Sequence, residues 1–243
     1  MGCTASLLHR EHNPVGHGLP MSIDVTIPRS ETSFFISSEE KRWLVRYPEG
    51  HSGPLYLHDG IHADSPVMVK VEKAQYGQFE VTLPILPKRK KSVERINWES
   101  KQFKSDIYWF ELELHTHTER FEWRKCAPQM VGGLDLDFVS SGWILVRAPK
   151  SKEKNSNTLK NLREMGRDSD GAQIVAMWGA KRVYSKLIHF EILGPGRNFG
   201  QEFLLIALAS ALKLQLNILR AEEVLEAARM RQQQLASNRS LRL

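Results

Sequence analysis

From Met21 to about Leu193 the chain alternates apolar and polar residues in one short run after another. Ser22-Ile23-Asp24-Val25-Thr26-Ile27 does so, as does Val67-Met68-Val69-Lys70-Val71-Glu72. The same alternation returns at 79–83, 109–114, 120–124, 143–147, 173–178 and 187–192. A period of two turns one face to a core and the other to water, so each run predicts a strand. Many short strands with Gly and Pro turns between them argue for a barrel or a sandwich. Two stretches interrupt the pattern. Residues 84–94 carry Pro87-Lys88-Arg89-Lys90-Lys91, and 150–171 is rich in Lys, Asn, Ser and Asp. The second reads as a long disordered loop between two strands.

The period changes after Gly200. Phe203-Leu204-Leu205-Ile206-Ala207-Leu208-Ala209-Ser210-Ala211-Leu212 is apolar on every helical face, and Lys213, Gln215 and Asn217 then dilute it. These are good helix formers, and Gly194-Pro195-Gly196 with Asn198 supplies a turn into the helix. A helix that is hydrophobic all round must be buried all round. Its wholly apolar part spans roughly 15 Å, about half a bilayer core, so the inside of a β-barrel is its better home. From Ala221 to Leu235 the chain is charged and Gln-rich, which predicts a solvated helical extension. The expected organisation is a flexible leader (1–20), a barrel (21–220) and a polar helical tail (221–243).

Composition narrows the classes. The 243 residues are 41% hydrophobic and include six Trp, enough for a real core. The net charge of +6 suits anionic lipid or RNA, or has no specific partner. Cys3 and Cys126 would join a terminus to the interior, so a reducing compartment is expected. Leu7-Leu8 runs at once into His9-Arg10-Glu11-His12, unlike a secretory signal.

The opening Met1-Gly2-Cys3-Thr4-Ala5-Ser6 fits the pattern that marks Gly2 for myristoylation, with Cys3 placed for palmitoylation. It looks like the start of dually acylated G-protein α subunits. One acyl chain binds a bilayer marginally, whereas two signals anchor stably. Gly2 and Cys3 are therefore the candidate lipidation residues, and ordinary residues of a loose terminus would read the same.

Several segments in order carry a wider resemblance. They are Pro54-Leu55-Tyr56, Phe121-Glu122-Trp123-Arg124-Lys125, Gly142-Trp143-Ile144-Leu145-Val146, Ile174-Val175-Ala176-Met177-Trp178, Phe190-Glu191-Ile192-Leu193 and Gln201-Glu202-Phe203-Leu204-Leu205. Over roughly residues 34–220 the chain resembles the tubby C-terminal-like superfamily of tubby proteins, scramblases and LURP-one-related proteins. It looks most like a fungal tubby-like branch. The resemblance implies a mainly β fold: a closed antiparallel barrel of roughly twelve strands around a buried hydrophobic C-terminal helix. Tubby barrels bind phosphoinositide headgroups at a basic surface, but no matching Lys/Arg pair aligns here, and many fungal members have no known activity.

Four candidate constellations remain. Lys88-Arg89-Lys90-Lys91 is the densest basic run and the candidate lipid-binding set, since each cation near an anionic leaflet adds about 1 kcal/mol. Nuclear localisation, or a solvated loop between strands, explains the same residues. His115, His117 and Glu119 share a strand face and could converge on a metal, although no fourth ligand is near in sequence, and the polar face of a half-exposed strand is the plainer account. Trp123-Arg124-Lys125 has the makings of a stacking platform for nucleic acid, but aromatic residues in strands normally pack inside. Cys126 beside Arg124 and Lys125 would have a lowered thiol pKa if exposed, and reads otherwise as structural.

No nucleophile elbow, phosphate loop lysine or zinc-protease helix motif occurs. No cofactor is called for. The sequence supports two expectations. One is a non-enzymatic barrel tethered by Gly2 and Cys3 to the cytoplasmic face of a membrane and contacting anionic phospholipid. The other is a soluble cytoplasmic or nuclear module binding an unknown protein partner through 150–171 or the C-terminal helix. Nucleic acid is the minor alternative, and the oligomeric state is open.

Overall fold

The computed structural model describes residues 18–28, 31–38, 41–74, 77–84, 93–100, 106–114, 117–126, 139–148, 166–181 and 187–240. Twelve strands form one antiparallel sheet. They are β1 (Ser22–Thr26), β2 (Ser33–Ser37), β3 (Arg42–Arg46), β4 (Leu55–His58), β5 (Val67–Lys73), β6 (Phe79–Thr82), β7 (Val93–Glu99), β8 (Ile107–Leu114), β9 (His117–Cys126), β10 (Val139–Arg147), β11 (Gln173–Lys181) and β12 (Leu187–Ile192). From β2 to β12 each strand pairs with the next in sequence, and β1 turns back to pair with β12. The two end strands, β1 and β2, lie beside each other without a ladder, so the barrel is nearly closed.

The alternation works as expected. Ile23 and Val25 of β1, Phe79 and Val81 of β6, and Phe110 and Leu112 of β8 all point inward and are buried. Strands β2, β3, β4 and β7 were not among the runs picked out by alternation. Strand β7 buries only Ile96, so its pattern is too faint to read, and it starts at Val93 inside the stretch taken as an interruption.

Strand β10 is the reverse case. Gly142 to Val146 are buried on both faces because a second apolar cluster covers the barrel's outside there. Ile144, Val146, Ala172 and Met177 form it, with Ile174, Leu193 and Cys126 packed against them. The segment 166–171 folds over this patch. Asp168 Oδ1 accepts the Asp170 and Ala172 amides at 3.0 and 2.7 Å, and Arg124 Nη1 grips its other oxygen at 2.5 Å. The end of the stretch expected to be a disordered loop therefore has defined structure, while 149–165 lies outside the described residues.

A 3-10 turn (Gly194–Asn198) leads into helix α1 (Gly200–Ser240). Gly196 is required there: a Cβ would stand 2.3 Å from the Val175 carbonyl oxygen. Gly200 takes φ +84°, a conformation that favours glycine, and starts the helix. The helix then runs along the barrel interior. Phe203 packs on Phe121 with ring centroids 5.0 Å apart, Ser210 meets Trp123, and Lys213 reaches Gly53.

Residues 203–216 are buried without a break. Leu204, Leu205, Leu208, Leu212, Leu214, Leu216 and Leu219 all lie in the core, and each such side chain stabilises the fold by about 1.5–3 kcal/mol. By length and composition α1 could cross a membrane, but 83% of its most apolar window is covered within the barrel. Past Arg220 it continues as an arm exposed on all sides.

Candidate functional site

The barrel has two ends, set by the direction of α1. At the end where α1 leaves, the β3–β4 and β5–β6 connections fold around the helix. The β3–β4 connection is tightly wound: the Gly50 amide donates to the Tyr47 carbonyl and the Gly53 amide to the Gly50 carbonyl. A Cβ on Gly53 would lie 2.4 Å from Cβ of Glu49, so the turn needs glycine. This aims the Gly53 carbonyl inward, where Lys213 Nζ donates to it at 2.6 Å.

His51, from the same connection, stacks on Tyr47 at 5.5 Å and pairs with Glu223 at 2.9 Å, which ties the departing helix to the rim. Burial pushes the Tyr47 hydroxyl up to about 12, with Glu31 and Glu223 adding to the effect.

Between these connections and α1 lies a cavity of about 610 Å³. Lys73, Lys213 and Arg220 supply its charge, and Phe79, Val224 and Leu225 its apolar wall. Its floor depends on Gly77, whose φ of +81° and 3.3 Å clearance from the Trp98 ring leave little room for a side chain.

Lys213 is only 2% exposed. Burial lowers its pKa to about 8, and the positive charges of Arg220 and Lys73 push in the same direction. An ammonium has three N–H donors, and one is spent on Gly53. Among the described residues no carboxylate pairs with Lys213. The arrangement is a cationic recess with an apolar flank, suited to an anionic head joined to a hydrocarbon body.

Of the residues expected from sequence, Gly2, Cys3, Lys88, Arg89, Lys90 and Lys91 lie outside the described residues. Thr82 and Val93, on either side of the basic run, pair with each other at the barrel end opposite the cavity. The run and the cavity therefore do not belong to one described site.

His115 is also outside the described residues, while His117 and Glu119 do converge, with Nε2 to Oε1 at 2.5 Å. The same oxygen takes a hydrogen bond from Arg147. Burial would raise the Glu119 pKa, but Arg147 and His117 outweigh it and hold the carboxyl below its ordinary value. The pair is thus an ion-pair cluster on the strand face, and no group of three metal-ligating side chains gathers among the described residues.

Trp123 is fully buried, its indole N–H donating to Ser210 Oγ at 2.8 Å, so it offers no face for stacking a base. Arg124 is committed to Glu122, Asp168 and Asp170 and does not activate Cys126. Burial instead pushes that thiol up to about 11.

Sequence reasoning missed Lys73, Lys213 and Arg220. The available signal was Leu212-Lys213-Leu214, a single charge inside an apolar helix, which was read as dilution of the apolar run. Lys73 and Arg220 carried no signal, because they meet Lys213 only after the barrel closes. Compared with known proteins, the chain matches no family model, no curated protein and no solved structure.

Proposed function

We propose that this chain is a non-enzymatic, tubby-like β-barrel protein that works at a membrane surface and binds anionic phospholipid. The observation that carries the reading is Lys213, buried at the cavity between Lys73 and Arg220 with no carboxylate among the described residues to neutralise it. A phosphate group would supply the missing negative charge. Phe79, Val224 and Leu225 would meet the glycerol backbone and the first methylenes of the chains. Tethering through Gly2 and Cys3 would confine the barrel near the bilayer and turn a weak headgroup contact into an effectively intramolecular one.

Vesicle flotation tests the lipid contact on protein made without acyl transferases. Phosphatidylcholine vesicles with and without phosphatidylserine are the probes. Wild type should float with the anionic vesicles only. At about 1 kcal/mol per cation, the Lys73→Gln/Arg220→Gln variant should bind roughly 30-fold more weakly. Equal binding to neutral vesicles, or an unchanged double variant, would sink the reading. The tether is tested separately: Gly2→Ala should release the protein from membranes in cells.

A soluble interaction module in cytoplasm or nucleus is the second reading. The arm of α1 favours it, since residues 226–237 are exposed and stand beyond the cavity. Under that reading Gly2→Ala leaves localisation unchanged, and deleting the arm loses the partner.

A further inference from the structure

We propose that two copies of this chain pair through their α1 arms, antiparallel, with Leu225 of one against Leu235 of the other. The proposal does not rest on lipid binding, although the two share Leu225. Beyond Arg220 the helix emerges past the barrel rim, where Glu223 meets His51, and residues 220–237 are all exposed. Leu225 is 59% and Leu235 66% exposed, although both are large and apolar. They are not scattered. Ala221, Leu225, Ala228, Gln232 and Leu235 follow one another at alternating steps of four and three residues. That spacing lines up one stripe and is the seam of a two-stranded coiled coil.

Three arguments single out an antiparallel second copy as the occupant. The first is steric. Packed helices lie about 8–10 Å apart. Each α1 is wrapped by a twelve-stranded barrel up to the point where it leaves, so parallel arms would drive the two barrels into each other. Antiparallel arms put the barrels at opposite ends. The arm, residues 221–240, gives about 30 Å of helix to overlap.

The second is register. Full overlap without running into either barrel centres the pair near Met230. That centre sets Leu225 opposite Leu235 of the other copy and Ala228 opposite Gln232. Leucines meet at the outer layers, and near the middle the small Ala228 leaves room for Gln232 of the other copy.

The third is charge. Residues 221–230 hold Glu222, Glu223, Glu226 and Arg229, net −2, while 231–237 hold Arg231, net +1. Antiparallel pairing lays the acidic half of one arm on the basic half of the other, whereas parallel pairing sets like on like. Glu223 is already held by His51 of its own barrel, so Glu222 and Glu226 carry the acidic half. Leu225 also borders the cavity, so a second copy and a bound amphiphile would compete for it.

The test uses the full chain without lipid. Sedimentation equilibrium over a concentration series should show monomer and dimer, with nothing larger. Leu235→Glu should weaken the dimer about tenfold or more, because it removes two buried leucines from the pair. Met230→Glu, on the opposite side of the arm from the stripe, should leave it unchanged. Orientation is read by disulfide mapping: a mixture of Leu225→Cys and Leu235→Cys proteins should give the 225–235 cross-link, and neither protein alone should cross-link through its new cysteine. A monomer at every concentration, equal loss with Met230→Glu, or a 225–225 cross-link would overturn the proposal.

Discussion

Replacing Lys213 by Met should alter how stability depends on pH, and the size of the change follows from the burial of its ammonium. The folded protein lowers the Lys213 pKa from 10.5 to about 8. A lowered lysine pKa means that the fold disfavours the charged form. The cost is fully present below pH 8, where both folded and unfolded chains are protonated. Between about 8 and 10.5 the unfolded chain holds the proton and the folded one does not, so stability rises with pH over that window.

At 1.36 kcal/mol per pKa unit, the cost at pH 7 is about 3 kcal/mol. Methionine keeps most of the apolar stem and removes the charge. It also leaves the Gly53 carbonyl without its donor, a loss of about 1 kcal/mol.

Lys213→Met should therefore be more stable than wild type by roughly 2 kcal/mol at pH 7 and less stable by about 1 kcal/mol near pH 10.5. Urea unfolding of both proteins at closely spaced pH values reads the difference directly, because groups common to both cancel. A difference that stays flat from pH 7 to 10.5 would show that Lys213 titrates normally, and the buried, unneutralised cation would then be wrong. The same physics links the site to its ligand: an anion that raises the Lys213 pKa must take up protons when it binds at pH 8–9.

Other outcomes follow from single contacts. Ser210→Ala should destabilise by about 1–2 kcal/mol in thermal melts, because the Trp123 indole N–H is left buried without an acceptor. Gly196→Ala should cost about 1–3 kcal/mol or prevent folding, since its methyl would collide with the Val175 carbonyl, and circular dichroism melts would show it. Glu119 has a lowered pKa, so its stabilising effect is present at neutral pH and is lost as pH falls through the folded value. Glu119→Gln should thus be roughly 2 kcal/mol less stable than wild type at pH 7, with the gap closing in acid, as chemical unfolding at pH 7 and pH 3 would reveal.

The periodicity of the chain sets what each segment must do locally. Alternation in Ser22–Thr26, Val67–Lys73 and Leu187–Ile192 made them half-buried strands, because a pleated strand sends successive side chains to opposite faces. Phe203 to Leu212, apolar on all sides, required a cover on all sides, which the surrounding strands supply. Gly194-Pro195-Gly196 marked the turn into it. These are statements about neighbours in the chain, and periodicity records them.

Which distant residues meet depends on how the barrel closes around α1. Nothing in the chain around positions 73 and 220 announces that Lys73 and Arg220 will come near Lys213, since their approach depends on the register of α1 inside twelve strands. Nor does the sequence say that Asp168 will be buried under Arg124 and not left in a polar loop, because the apolar patch it covers is assembled from β10, β11 and the end of β12. A charge takes its energy from the dielectric and the other charges around it. Those are set by the closed barrel, and a linear chain does not contain them.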